Sequence, residues 1–183
     1  TFGLGWCPDG GEAFLKAATD AGYRPEFLVE LGLVKEREDR RYDFYRGRLM
    51  FPIHNLSGKV IGFGGRTLKS GPRIPKYINS PESILYNKRQ VLYGIHQAKR
   101  SIIREERCFM VEGYTDVLSL HQAGIENVVA SSGTALTPDQ VRLVKRYTPN
   151  LTILYDGDIA GLNAAMRGTE IVLAEGMNVR IVR

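Results

Sequence analysis

The sequence predicts an α/β protein in which a mixed α+β region is followed by a parallel βαβαβαβ sheet. Three observations support this fold class. From Arg107 onward, short apolar runs alternate with segments of helical periodicity. Before Arg107 the chain has helical segments and then paired strand-like runs, without that alternation. Most of the positive charge lies in the first region, so the two regions also differ in composition.

The N-terminal region begins with two predicted helices, over residues 12–21 and 25–31. Two strand-like runs then flank an "LSGK" turn, which predicts a β-hairpin with Phe51 and Phe63 in its core. The segment "PKYINSPE" is expected to be extended chain with turns, and "YGIHQAKRSIIREE" is expected to be a helix. These elements predict a basic, mixed α+β subdomain over residues 1–105.

The C-terminal region, residues 106–183, has four strand-like runs separated by three helical segments. The runs are short, rich in β-branched residues and apolar almost throughout, as expected when helices cover both faces of a parallel sheet. Thr137 is a predicted N-cap, with Pro138 at the first helical position and Gln140 placed for a capping box. The strand-like runs are "RCFMVEG", "ENVVASSG", "NLTILYDGD" and "NVRIVR".

The charge distribution indicates a polyanionic partner. Residues 40–104 contain fourteen Lys and Arg but only two acids, Asp43 and Glu82, which gives this segment a net charge of +12. Because the whole chain carries +5, the remainder carries −7. A segment this basic is typical of a surface that binds nucleic acid, and the alternative is a solvated basic face without a ligand.

The cysteine content and the hydropathy exclude several classes of protein. Cys7 and Cys108 are too few and too far apart for a disulfide framework or a zinc cluster, so both are expected to be small buried residues in a reducing cytosol. No apolar run reaches transmembrane length and no signal-peptide pattern follows Thr1, so we expect a cytoplasmic protein without a membrane partner. The start without Met and the end at "MNVRIVR" indicate a piece of a longer protein.

Three acids follow predicted strands of the C-terminal sheet. Asp156 and Asp158 end the third strand, and Glu112 ends the first. Because ligands bind at the carboxyl ends of parallel strands, these carboxylates are expected to converge if the two strands are neighbours, with Asp116 one helical turn from Glu112. Oxygen ligands without His or Cys favour Mg²⁺. The alternative is structural, because a DGD loop is a common turn and a lone Glu at a strand end is often a surface residue.

Several segments resemble two known modules, in order and over essentially the whole chain. "MVEGYTDVLSLHQAG", "VVASSGTALT" and "LYDGDIAGLNAAMRG" resemble the TOPRIM module shared by primases, topoisomerases and some nucleases. Upstream, "YRGRLMFPIHNLSGKVIGFGGRTL", "PKYINSPES" and "NKRQVLYG" resemble the N-terminal subdomain of the RNA polymerase core of bacterial DnaG-type primases, and "TFGLGWCPDG" resembles the entry into that core. The C-terminal region is therefore expected to be a TOPRIM-like sheet, truncated at its C-terminal side.

The resemblance implies a metal site. Glu112, Asp156 and Asp158 match the metal-binding acids of the family, which would hold two Mg²⁺ or Mn²⁺ ions for nucleotidyl transfer; Glu112 is alternatively a general base or acid. Asp116 would ligate metal or orient Glu112. The family has a further acidic motif beyond the fourth strand, so metal binding by this chain is expected to be weak. The structural glycines of the site are Gly113, Gly157 and Gly161.

The resemblance also implies a nucleic-acid and nucleotide surface. Its basic positions would hold template and triphosphate, because Arg binds phosphate bidentately and Lys acts as a mobile point charge. Its aromatic and amide positions would stack on bases or contact sugars. For each residue the alternative is a solvated charge or a half-buried strand residue. The positions are Arg46, Arg48, Arg66, Lys76, Lys88, Tyr77, Asn79 and Tyr114.

Taken together, the resemblance implies a DNA-dependent RNA polymerase that makes short RNA primers on single-stranded DNA from ribonucleoside triphosphates. A groove between the two regions would hold template and growing RNA. The zinc-binding domain of the family, with its Zn²⁺, and the C-terminal domain that engages the replicative helicase are not expected within this chain. The alternatives are a TOPRIM nuclease, a non-catalytic DNA-binding module and, with less support, a topoisomerase.

Overall fold

The structure, a computed structural model, describes residues 1–38, 40–69, 71 and 74–182. Arg73, one of the fourteen basic residues of the segment 40–104, lies outside these residues. Contacts divide the chain into two compact units, which are described separately. The N-terminal unit comprises residues 1–53 and 60–87, and the C-terminal unit comprises residues 54–59 and the chain from 88 onward. Every helix of the described ranges is too short or too polar to cross a bilayer.

The N-terminal unit is mixed α+β, as predicted. One sheet has the strand order β1-β4-β5-β6, and an antiparallel β2–β3 pair lies apart from it. Phe51 is fully buried, as expected for the core of the β4–β5 hairpin. The strands β1, β2 and β3 were not expected, because they are short and β2 and β3 consist mainly of charged residues. The elements are β1 (Gly5–Cys7), α1 (Ala13–Asp20), α2 (Pro25–Glu30), β2 (Val34–Arg37), β3 (Arg40–Asp43), β4 (Arg48–His54), β5 (Val60–Thr67) and β6 (Tyr77–Asn79).

The C-terminal unit contains the predicted parallel sheet. Its strand order is β8-β7-β9-β10, and all three neighbouring pairs are parallel. The βαβαβαβ alternation is therefore confirmed. A 3₁₀ turn (Lys88–Gln90) precedes α3 (Ile95–Arg104), β7 (Cys108–Val111), α4 (Tyr114–Gln122), β8 (Val128–Ala130), α5 (Pro138–Lys145), β9 (Asn150–Leu154), α6 (Ile159–Ala174) and β10 (Asn178–Val182).

The core of the C-terminal unit explains where the chain divides. Met110, Val129 and Ile153 of the sheet are fully buried, and the same cluster includes Ile102 of α3. Because α3 packs on this core and on β8, it belongs to the C-terminal unit. The division by contacts falls at residue 88, and the predicted subdomains 1–105 and 106–183 stay a prediction. Both cysteines are buried, as predicted.

The start of α5 has the predicted capping box. Thr137 Oγ1 accepts a hydrogen bond from the Gln140 backbone N–H at 3.2 Å, and Gln140 Oε1 accepts one from the Thr137 N–H at 3.1 Å. Gln140 is completely buried, and its Nε2 also donates to the carbonyls of Lys88 and Val91. One side chain thus caps α5 and fixes the 3₁₀ turn.

Among the residues that the structure describes, five helices end in Schellman motifs, and in one of them the left-handed residue is not glycine. In α3 the Glu106 N–H bonds to the Ile103 carbonyl and the Arg107 N–H bonds to the Ile102 carbonyl. Glu106 has φ +47°. A side chain in this region clashes with its own backbone, at a cost of about 1–2 kcal/mol. Glycine occupies the same position after α1, α2, α4 and α6, at Gly22, Gly32, Gly124 and Gly176.

We predict that Glu106→Gly raises the free energy of unfolding by about 0.5–1 kcal/mol, because relief of the left-handed strain exceeds the added entropy of the unfolded chain. Urea unfolding measures the change. The control is Glu105→Gly, at the preceding residue, which has ordinary right-handed geometry and should lower stability instead. If Glu106→Gly instead lowered the free energy of unfolding, left-handed strain at Glu106 would not be a source of instability.

Candidate active site

The strand order places one crevice at the carboxyl edge of the parallel sheet. Strand β7 has β8 on one side and β9 on the other. The chain passes from β7 to β8 and then crosses back over β7 to form β9. Right-handed crossovers then put α4 on one face and α5 and α6 on the other, and α5 does contact α6. The loops that follow β7 and β9 therefore flank a topological switch point, where such sheets bind ligands.

Glu112 joins these two loops. It follows β7, and its Oε1 accepts a hydrogen bond at 2.9 Å from the backbone N–H of Asp156, which follows β9. Glu112 is half-buried, while Asp156 and Asp158 are exposed. The first-strand acid and the DGD loop thus lie side by side, as the strand order requires.

The other two acids each begin a helix. Asp158 is the N-cap of α6, and its Oδ1 accepts a hydrogen bond from the Gly161 N–H at 2.7 Å. Asp116 lies in the first turn of α4, and its Oδ2 accepts from the Gly113 N–H at 2.9 Å. Asp116 therefore holds the backbone next to Glu112, which favours its predicted role as a residue that orients Glu112 over a role as a direct ligand.

Gly161 permits the close approach of Glu112 to the DGD loop. A Cβ at this position would overlap the Asp156 carbonyl oxygen and would lie 3.0 Å from Glu112 Oε1. Gly157, by contrast, has open space around the equivalent position. The two glycines of the predicted loop therefore differ: only Gly161 is required by packing.

The donor set suits a hard divalent cation. The acids supply only carboxylate oxygens, and Mg²⁺ is usually held by one or two carboxylates together with water and substrate phosphates. Within the described ranges, no three His, Cys, Asp or Glu side chains are already gathered as a metal cluster. The residues thus fit Mg²⁺ by chemistry, as an open site that phosphate completes.

Tyr155 and the loop after β8 surround Glu112. The sequence did not indicate that these residues contribute to the site. Burial raises the pKa of Tyr155 to about 12; its hydrogen bond with Ser131 opposes this shift and the charge of Glu112 adds to it. Ser132, with φ +54°, donates its N–H to the Glu112 carbonyl at 3.1 Å. A cavity of about 350 Å³ opens between this loop and α6, and Glu112 and Arg167 both line it.

The N-terminal unit brings three of the predicted nucleic-acid residues together. Arg66 on β5 lies opposite Tyr77 on β6, and the Arg66 guanidinium and Lys76 ammonium each lie 6.0 Å from the Tyr77 ring centroid. Arg66 Nε is buried, and no residue of the described ranges accepts its hydrogen. Asn79 lies on the same strand, and exposed Arg46 stacks on Tyr42 at 4.8 Å.

Two predicted ligand-binding residues are buried instead. Arg48 is only 7% exposed, and its Nη1 donates to the carbonyls of Gly65 and Lys76, at 3.1 and 3.4 Å. Burial also lowers the pKa of Arg48. We therefore assign Arg48 a structural role. It supports the group formed by Arg66, Lys76 and Tyr77, which we call the Arg66–Lys76 cluster.

Tyr114, the other buried residue, is 2% exposed and packs edge-on against Tyr93 at 4.7 Å. The buried ring offers no face on which a base could stack, whereas sugar contact, the other role predicted for Tyr114, stays a prediction. Lys88 lies in the C-terminal unit, where its backbone carbonyl accepts the bond from Gln140. The predicted ligand-binding residues are thus distributed over both units.

Comparisons with known proteins agree along the whole chain. The family profile described as the N-terminal domain of the DNA primase catalytic core matches residues 1–99, and a Toprim-like profile matches residues 109–183. A DNA primase of Clostridium acetobutylicum is 44% identical over 182 residues, which are 100% of this chain and 30% of that protein. This chain therefore spans about 30% of the length of such curated relatives.

Solved structures show the same fold. The zinc-binding and RNA polymerase domains of Aquifex aeolicus primase match with a TM-score of 0.92 and 38% identity, over 99% of this chain and 44% of that one. A DnaG primase catalytic domain bound to single-stranded DNA matches with a TM-score of 0.87 and 41% identity, over 99% of this chain and 57% of that one.

We predict that Gly161→Ala separates Glu112 from the DGD loop and lowers the free energy of unfolding by about 1–3 kcal/mol, because the added methyl group overpacks the site. Urea unfolding gives the energy, and the backbone amide shift of Asp156 reports the lost hydrogen bond. Gly157→Ala is the matched control and should change both quantities little. Equal effects of the two substitutions would refute the packing argument.

Proposed function

Because this chain belongs to the DNA primase family and forms part of the catalytic core, we propose that it supplies the polymerising site of a DNA-dependent RNA polymerase that makes short RNA primers. One observation carries the proposal: the Glu112 carboxylate contacts the DGD loop in a chain whose first 99 residues match the primase core. A TOPRIM nuclease would share the acids, but the upstream match favours the primase.

In the proposed site, Glu112, Asp156 and Asp158 hold Mg²⁺ or Mn²⁺. When bound, the metal would supply positive charge that offsets the negative charge of nucleotide phosphates during nucleotidyl transfer. The chain itself contributes preorganisation. The N–H of Asp156 fixes Glu112, and the N-cap bond of Asp158 fixes the start of α6. The carboxylates of Glu112 and Asp158 are therefore positioned before binding, which reduces the side-chain freedom that binding would remove.

In the N-terminal unit, the proposed partners are the template strand and ribonucleoside triphosphates. Arg66 places a guanidinium beside Tyr77, and a guanidinium can bind phosphate through two parallel N–H bonds. Lys76 and Tyr77 add a mobile charge and an aromatic ring beside it. The solved relative that holds single-stranded DNA supports this choice of partner.

The remaining parts of the activity belong to the longer protein. We propose that it releases an RNA primer in the bacterial cytoplasm, that a separate N-terminal domain supplies Zn²⁺-dependent initiation, and that a C-terminal domain engages the replicative helicase. A relative that comprises a zinc-binding domain and an RNA polymerase domain supports the proposal of a separate zinc-binding domain. The helicase contact rests on family resemblance.

We predict that Glu112→Gln or Asp156→Asn in the full-length protein lowers primer synthesis by about 100-fold or more, because each removes a charge that holds the metal. Affinity for single-stranded DNA should stay within about twofold. A ribonucleotide-incorporation assay on single-stranded template measures the first quantity and fluorescence anisotropy the second. Glu170→Gln, at an exposed position of α6, is the control. Retained synthesis in either site variant would remove that residue from the mechanism.

We also predict that Lys76→Ala weakens single-stranded DNA binding and reduces the slope of log affinity against log salt concentration by about 0.7, the value for one phosphate contact on a single strand. Arg46→Ala should act in the same direction. Lys16→Ala, on the exposed side of α1, should leave the slope unchanged. An unaltered slope in the Lys76 variant would contradict its contact with phosphate.

A further inference from the structure

The N-terminal unit contains a cavity that the proposed polymerase site does not use. Its volume is about 400 Å³, and it lies between β1, α1 and the β4–β5 strands. Half of the lining residues are aromatic or sulfur-containing, and one is a carboxylate. The lining includes Trp6, Phe14, Tyr45, Phe63, Met50 and Asp43.

Four aromatic rings line this cavity. Trp6 and Phe14 remain 49% and 36% exposed, so both side chains are in part accessible from solvent. Tyr45 is buried, and its hydroxyl bonds to the Phe63 carbonyl and to Ser80, at 3.0 and 2.9 Å. The Tyr45 ring meets the Phe63 ring at 65°, with centroids 6.2 Å apart. The ring faces carry partial negative charge, so a group of such rings attracts cations.

Asp43 adds a full negative charge to the lining. It is 1% exposed, and its two carboxylate oxygens accept one bond each, from the Phe14 and Leu15 backbone N–H groups at 2.7 and 2.9 Å. No cationic side chain of the described ranges pairs with it. Each oxygen keeps a further lone pair. The two N–H groups belong to the first turn of α1 and offset part of the negative charge.

Cys7 does not change this charge. Burial, and then the charge of Asp43, raise the pKa of the Cys7 thiol to about 11, so the thiol is neutral at pH 7. The electrostatics of the cavity are therefore those of one carboxylate and several aromatic faces. This combination is complementary to an organic cation, whose apolar substituents desolvate easily, and poorly suited to a hydrated metal ion.

We propose that this cavity binds a small organic cation of the alkylammonium class. The substituted nitrogen lies over the faces of Trp6 and Phe14, and its positive charge is compensated by Asp43. Met50 packs against the alkyl groups. Binding at this site is independent of the proposed primer synthesis, because none of these residues belongs to the acidic site or to the Arg66–Lys76 cluster.

Trp6 is the only tryptophan of this sequence, so a full-length variant that keeps Trp6 as its sole tryptophan reports on the cavity by indole fluorescence. Titration with tetramethylammonium chloride should change the emission saturably, whereas sodium chloride at equal ionic strength should not. Saturation-transfer NMR on the methyl groups gives an independent readout. A response that does not saturate, or that sodium reproduces, would overturn the proposal.

Two variants separate cation–π binding from simple apolar packing. Phe14→Leu keeps an apolar side chain at a partly exposed position but removes the ring, so the affinity for tetramethylammonium should fall by at least about fivefold. Phe27→Leu, on α2 outside the lining, should bind as the parent does. Ala17→Phe fills the cavity from the exposed face of α1 and should abolish binding without lowering Tm by more than a few degrees. Unchanged affinity in Phe14→Leu would exclude an aromatic cation site.

Discussion

The hydrogen bond from the Asp156 N–H to Glu112 Oε1 is the interaction on which the candidate site depends. It joins the ends of two neighbouring parallel strands, whose register is fixed by β7–β9 pairing within a fully buried core. The bond forms only because Gly161 has no side chain to separate the two loops. The bond thus places the Glu112 carboxylate against the backbone of the DGD loop, where an N–H group stabilises its negative charge.

The two units divide the chemistry between them. The C-terminal unit presents carboxylate oxygens on a rigid sheet edge, which suits a metal that neutralises phosphate charge. The N-terminal unit presents guanidinium and ammonium groups around Tyr77, which suit the phosphate and the base faces of a single strand. Burial of Arg48 beneath this cluster stabilises β5 through the Gly65 carbonyl, so part of the basic charge is structural. Composition alone does not distinguish these two uses of arginine.

Much of this arrangement could be predicted from the sequence. Continuous apolar runs indicate a parallel sheet, and the capping box at Thr137 follows from local chemistry that needs no distant partner. The position of Glu112 beside the DGD loop follows from strand order once the sheet is known. The burial of Tyr114 against Tyr93 could not be predicted, because it depends on where α4 packs. Tyr155 and Asp43 were missed for the same reason: their environments arise from residues distant in sequence.

The central claim is that Glu112 and the DGD loop together hold a divalent cation. The most direct measurement is a Mn²⁺ titration followed by paramagnetic broadening of backbone amide signals. If Glu112 and the DGD loop share one cation, the signals of residues 112–116 and 156–161 broaden together at the lowest Mn²⁺ concentrations, and Glu112→Gln shifts this broadening to higher concentrations. Broadening that leaves residues 112–116 sharp while other acidic surfaces respond would contradict it.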